Sequence, residues 1–153
     1  MPDPGYPARM PQPVRVVAAV LCRDGAVLIA QRAPPRAEAG CWELPGGKVD
    51  PGEDDTTALI REIQEELGVT VVPVRALATA VHAYDHVTIE LVAWACDLVA
   101  GEPQAIEHAA LAWVHADALD GIAWAPADVP LIPAVRARLT ALGAPPGVGS
   151  PRS

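Results

Sequence analysis

Residues Gly47 to Val69 read GKVDPGEDDTTALIREIQEELGV, and within them Glu62, Glu65 and Glu66 stand at i, i+3 and i+4. On a helix of about 3.6 residues per turn that spacing puts three carboxylates on one face. Like charges so placed destabilise a helix, and a hard divalent cation would offset them. Pro45-Gly46-Gly47 and Pro51-Gly52 are turn punctuation on either side of a short polar loop. Asp54, Asp55 and Thr56 offer capping oxygens and negative charge where a helix should start. Leu59, Ile60, Ile63 and Leu67 recur at helical spacing, and Gly68 is a left-handed stop. The segment predicts a loop feeding an amphipathic helix, about Asp54 to Leu67, whose wet face binds Mg2+ or Mn2+. Phosphates, which share that cation, are the expected substrate class.

The same residues resemble the Nudix box: Gly, five residues, Glu, seven residues, Arg-Glu, aliphatic, any residue, Glu-Glu, any residue, Gly, aliphatic. Gly47, Glu53, Arg61, Glu62, Ile63, Glu65, Glu66, Gly68 and Val69 fill every specified position. A solvated acidic helix face would explain the glutamates, but not the flanking loop, Arg61 or the caps. The similarity extends over roughly residues 14 to 140. It includes LIAQR before the box, WELPGG entering it, EHAALAWV after it and WAPADVPLI near the end. These shorter stretches resemble the MutT-type branch, the nucleoside triphosphate pyrophosphohydrolases.

Composition agrees. A chain of 153 residues, 51% hydrophobic, is long enough for one substantial core. No apolar run reaches membrane-spanning length, and the opening MPDPGYPARMPQPV lacks signal-peptide regions. Cys22, Cys41 and Cys96 are odd in number and far apart, so a reducing cytoplasm is expected. A formal charge of −8 argues against polymeric nucleic acid or an acidic membrane as partner. A small nucleotide is expected instead, on a monomer or homodimer. Seven of the 19 acidic residues lie between Asp50 and Glu66, so part of that charge belongs to the expected metal site.

Proline-rich residues 1–13 and the closing segment 143–153 read as disordered tails around a Nudix domain at 14–142. Val14–Cys22 and Ala26–Gln31 read as strands joined by the turn Arg23-Asp24-Gly25. Val71–Val81 and Val87–Leu98 read as two more, flanking the polar HAYDH segment. Leu111–Val114 is a short strand, and Pro130–Leu142 a closing helix with proline in its first turn. The expected class is α/β: a Nudix α/β/α sandwich on a mixed sheet.

The resemblance implies roles. Glu62, Glu65 and Glu66, with the Gly47 carbonyl, would hold the metal that positions water against a phosphorus. Glu53 and Arg61 are read as struts holding the loop on the helix, within the catalytic set. Ala112 stands where some relatives carry a further metal-binding acid, so Glu107, beside His108, is taken in its place. Arg32 matches a phosphate-contacting arginine, against the plainer reading of a surface charge ending a strand. Glu43 is placed with it in the substrate site. Trp124 would stack on a base and Asp128 accept from its edge, cytosine or an 8-oxoguanine type; Trp124 serves equally well as a core residue. His82 and His86 flank a turn without cysteine partners, which is not a zinc pattern.

Two other readings stand beside the pyrophosphohydrolase. Tyr84 lies about where dinucleoside polyphosphate hydrolases place a tyrosine, and a non-catalytic Nudix domain could bind nucleotide alone. The latter typically lacks box carboxylates, and none is lacking here.

Overall fold

The computed structural model describes residues 12–143; most of the two expected tails, 1–11 and 144–153, lies outside them. The elements are β1 (Val14–Arg23), β2 (Ala26–Gln31), β3 (Trp42–Glu43), β4 (Gly46–Lys48) and α1 (Asp55–Leu67). They continue through β5 (Thr70–Tyr84), β6 (Val87–Ala100), β7 (Ala110–His115), two 3-10 turns (Ala116–Gly121 and Pro126–Leu131) and α2 (Ile132–Gly143).

The sheet is mixed and runs β3-β2-β1-β6-β5, with β4 also on β1 and β7 also on β2. Only β1 and β6 are parallel among these pairs, from Val14↔Ile89 to Leu21↔Cys96. The near edge of β1 is divided. Val16 to Ala18 pair with β4, and Cys22 and Arg23 pair with β2. One strand thus carries both the glycine segment of the box and the β2–β3–β7 unit.

The box helix forms where the sequence places it. Asp54 caps it, accepting from Thr57 N at 2.8 Å, and Gly68 ends it at φ 70°. Leu59, Ile63 and Leu67 are fully buried against one face of the sheet, worth roughly 1.5–3 kcal/mol each. Ile60, expected on that face, is 40% exposed, because the buried stripe is narrower than the apolar pattern. Arg15 of β1 donates through Nε and Nη2 to Asp55 at 2.6 Å, tying the helix start to the sheet. The second layer packs α2 and the 3-10 turns on the opposite face, through Leu131, Ile132, Val135 and Leu139.

The structure departs from the sequence reading at two places. HAYDH is not a polar gap: β5 runs on to Tyr84, and only Asp85-His86 turn. The closing helix begins at Ile132, because Pro130 lies within a 3-10 turn. Among the described residues no helix is long and apolar enough to cross a membrane.

Candidate active site

Proline and two glycines would ordinarily mark a turn, yet Gly46–Lys48 is strand β4. The glycines are there for close approach. A Cβ on Gly46 would lie 2.0 Å from the Val17 carbonyl oxygen, and one on Gly47 would lie 2.2 Å from the Glu62 carboxyl group. Gly46 therefore lets β4 pair with β1, and Gly47 makes room for a box carboxylate. The pair forms a wall without side chains between α1 on one face and a cavity on the other.

Behind that wall the box residues form an ion network. Arg61 donates to Glu53 through Nε (2.9 Å) and Nη2 (2.8 Å), to Glu62 through Nη1 (2.9 Å) and to the Lys48 carbonyl (3.1 Å). Glu65 Oε2 is 3.3 Å from the same guanidinium. Glu53 also accepts from Asp50 N at 3.0 Å, closing the loop. The Arg61 hydrogen bond, followed by that from Asp50, pulls the Glu53 carboxyl down to about 2. Arg61 and Glu53 thereby tie the loop to the helix.

Glu66 differs. It is 2% exposed, and its Oε2 accepts only from Gly46 N, at 3.1 Å. Burial first, then the charges of Glu43 and Glu62, push its carboxyl up to about 8. The negative charge of Glu107 adds to this, which places that loop acid beside the box. Its loop is held to the end of α1 by Gln104 N to Leu67 O (3.0 Å) and Ile106 N to Glu66 O (3.3 Å). Glu62, Glu65 and Glu66 share a helix face but do not converge. Among the described residues no three His, Cys, Asp or Glu side chains are gathered to hold a metal ion. The physical reason is Arg61, which draws Glu62 and Glu65 to itself while Glu66 turns to Gly46. The donor set still fits a hard cation, since a buried carboxylate among acids has only one backbone N–H to stabilise its charge.

On the other face lies a cavity of about 550 Å³. Val16 and Ala18 of β1 with Ile89 and Leu91 of β6 give it an apolar floor, and Gly46 and Gly47 are its inner wall. Arg32 and Glu43 line one side, joined at 2.6 Å through Nη1 and Oε1. Arg32 Nε donates to the Ala37 carbonyl at 2.6 Å, so the guanidinium is held at two points. Asp128, 4% exposed, also lines the cavity and accepts from Leu44 N, next to Glu43, at 2.9 Å. Burial pushes its carboxyl up to about 7, against the Leu44 hydrogen bond.

Trp124 is placed elsewhere. Its Nε1 donates to the Leu119 carbonyl at 2.9 Å, and its ring packs on the α2-side core, away from the cavity lining. Its backbone pairs with Trp42, so the residue braces β3. Tyr84 is the aromatic residue on the lining, with His82 edge-on to it at 4.4 Å and His86 nearby at the rim. Sequence reasoning also missed His108, a buried imidazole bonded to Glu43 at 2.8 Å. A histidine in a polar loop looks exposed until the loop is seen to fold back on Gln31, where Ala109 N donates at 2.9 Å.

The mixed sheet thus stands between two helical layers, with the acidic helix α1 behind a glycine wall. The NUDIX domain model matches residues 16–134, and the chain belongs to that family as a Nudix hydrolase. It is 45% identical over 117 residues to a putative 8-oxo-dGTP diphosphatase 2 of Mycobacterium tuberculosis, covering 74% of this chain and 81% of the relative. It is 40% identical over 124 residues to the CTP pyrophosphohydrolase of Escherichia coli, covering 81% and 92%. The solution structure of the E. coli ORF135 protein superposes with a TM-score of 0.75 at 40% identity, covering 86% of this chain and 94% of that one.

Proposed function

We propose that this chain hydrolyses nucleoside or deoxynucleoside triphosphates, ordinary or oxidised, to monophosphate and pyrophosphate with Mg2+ (or Mn2+), as nucleotide-pool sanitation. The observation that carries the reading is that buried Asp128, Arg32 and Glu43 line one largely apolar cavity together with the Gly46-Gly47 of the box. A base fits the apolar end, and its polyphosphate reaches the box over two residues that present no side chains.

Glu62, Glu65, Glu66, Glu107 and the Gly47 carbonyl would hold the cation. A cation held there would supply an acidified water and positive charge against the phosphoryl oxygens. The chain's own residues do the rest. Arg61 and Glu53 fix the loop at the helix start, so that Glu62 stays against Gly47. Arg32 supplies a cation for phosphate in a site that is otherwise acidic. Asp128 reads the base edge: as a carboxylate it accepts from an amino group, such as N4 of cytosine or N1-H and N2-H2 of a guanine. Tyr84 takes the stacking place expected of Trp124.

The names of the relatives, an 8-oxo-dGTP diphosphatase and a CTP pyrophosphohydrolase, lie within this substrate class and share its amine-bearing bases. Tyr84 is accounted for by the cavity, so the dinucleoside polyphosphate reading gains no support from it. Pyrophosphate release with Mg2+, measured across the four ordinary deoxynucleoside triphosphates, their ribose forms and 8-oxo-dGTP, tests the proposal. Turnover of at least one amine-bearing triphosphate well above dTTP is expected. Release of phosphate instead of pyrophosphate, or no turnover of any, overturns it.

A further inference from the structure

Glu43 is the junction of a buried relay. Its Oε1 accepts from Arg32 Nη1 at 2.6 Å, and its Oε2 lies 2.8 Å from His108 Nε2. The His108 side chain is 0% exposed, and its Nδ1 has no hydrogen-bond partner. A proton on Nδ1 would be a buried donor without an acceptor, so Nε2 carries the proton that Glu43 receives. Packing alone does not call for an imidazole here, because an apolar side chain would fill the space without an orphaned nitrogen. The hydrogen bond to Glu43 does call for one.

We propose that His108 is a positioning residue for substrate binding, holding the Glu43 carboxylate so that Arg32 points its guanidinium into the cavity. The proposal rests on the reading of the cavity as a nucleotide site. Glu43 has an alternative partner: Arg36 Nη1 stands 3.8 Å from the same Oε2 that His108 engages. Without His108 that oxygen turns to Arg36 at the cavity rim, and Arg32 loses its fixed direction. Burial alone would push the Glu43 carboxyl up; the His108 hydrogen bond and the Arg32 charge outweigh it and hold the group ionised. His108 also sits one residue after Glu107 and one before Ala109, whose N–H is bonded to the Gln31 carbonyl next to Arg32. One short loop therefore links the acid beside the box to the cation of the cavity.

The test is a double-mutant cycle on the full chain. His108→Ala should raise KM for the preferred nucleoside triphosphate about tenfold, the lower end for a charged hydrogen bond, with kcat within about threefold. His108→Gln, whose amide nitrogen reaches Glu43 as Nε2 does, should restore KM to within about threefold of wild type. In a Glu43→Ala background, His108→Ala should add less than about twofold, because the residue acts through Glu43. Multiplying effects, an unchanged KM in His108→Ala, or no rescue by glutamine overturns the proposal. A readout free of turnover separates it from the substrate reading. Ring 15N NMR of the wild-type protein should show the Nε2-protonated tautomer of His108, with both ring shifts moving in Glu43→Ala. The opposite tautomer, or unmoved shifts, overturns it even if no nucleotide is hydrolysed, and the expected spectrum sustains the relay when the nucleotide reading fails.

Discussion

Asp128 and Leu44 stand 84 residues apart in sequence, and Asp128 Oδ2 accepts the Leu44 amide hydrogen at 2.9 Å in the buried wall of the cavity. That bond joins the WELPGG entry to the box with the WAPAD segment near the chain end. It aims a carboxyl group into the cavity from the 3-10 turn at Pro126–Leu131, whose first turn holds Asp128. A group so enclosed has two measurable properties, one in recognition and one in stability.

In recognition, cytosine- or guanine-type triphosphates should be hydrolysed more efficiently than thymine or uracil ones. Above about pH 7, where Asp128 is ionised, O4 of those bases faces a carboxylate as acceptor against acceptor, and a lost charged hydrogen bond of about 1.5–3 kcal/mol is roughly ten- to a hundredfold in kcat/KM. Asp128→Ala should erase most of the difference while leaving turnover of dTTP in place. Equal kcat/KM on dCTP, dGTP and dTTP by the wild-type enzyme would remove base reading from Asp128.

In stability, burial raises the folded-state carboxyl of Asp128 from 3.8 to about 7. A raised acid contributes stability that is fully present below the unfolded value and is lost as pH climbs through the folded one. Denaturant unfolding in EDTA should therefore show wild type losing stability relative to Asp128→Asn from about pH 4 to about pH 7, then holding level. The full difference is on the order of 4 kcal/mol. A pH-independent difference between the two proteins would contradict the burial argument.

The two wall glycines should fail differently. Gly46→Ala drives a Cβ into the Val17 backbone, so it should cost about 1–3 kcal/mol of stability and broaden or lower the melting transition. Gly47→Ala meets the carboxyl end of Glu62, a side chain that can move. It should leave Tm nearly unchanged while lowering kcat about a hundredfold. Thermal melts and turnover on the same preparations check the pair; equal losses in both would show that the wall is structural throughout.

Glu62→Gln and Glu66→Gln should each lower kcat by roughly two or more orders of magnitude with the fold retained. EDTA should abolish wild-type activity, Mg2+ should restore it, and Ca2+ should do so poorly because its coordination is larger and looser. Steady-state rates with buffered metal and circular dichroism of each variant measure this. Near wild-type turnover in both variants would sink the metal assignment.

The box helix was legible because caps, period and stop residue all agree, and each is a local property of Asp54 to Gly68. The strands β3 and β4 were not, since two residues carry no period and Gly46-Gly47 resembles a turn until β1 is beside it. The carboxylates of the site were legible as spacing, but their present partners were not. The Glu53–Arg61 pair was read as a strut, but Arg61 as a partner also of Glu62 and Glu65 depends on how the loop lies over the helix. Trp124 illustrates the limit for aromatics: a stacking surface and a core brace have the same one-letter code, and its bond to the Leu119 carbonyl and absence from the cavity lining are tertiary facts. His108 was hidden for the same reason, its burial being made by residues far along the chain.

The box helix packs on one face of the sheet, and Val17, Gly46, Gly47 and Lys48 are shared between its side and the lining of the cavity. Other parts of the cavity lining come from Arg36 to Glu38 and from Tyr84, His86 and Val87, none of which belongs to α1 or its loop. Substitutions in those two segments should therefore change nucleotide KM more than kcat, which steady-state rates of the variants would read. The cavity lining is thus free to vary at positions that carry none of the box network.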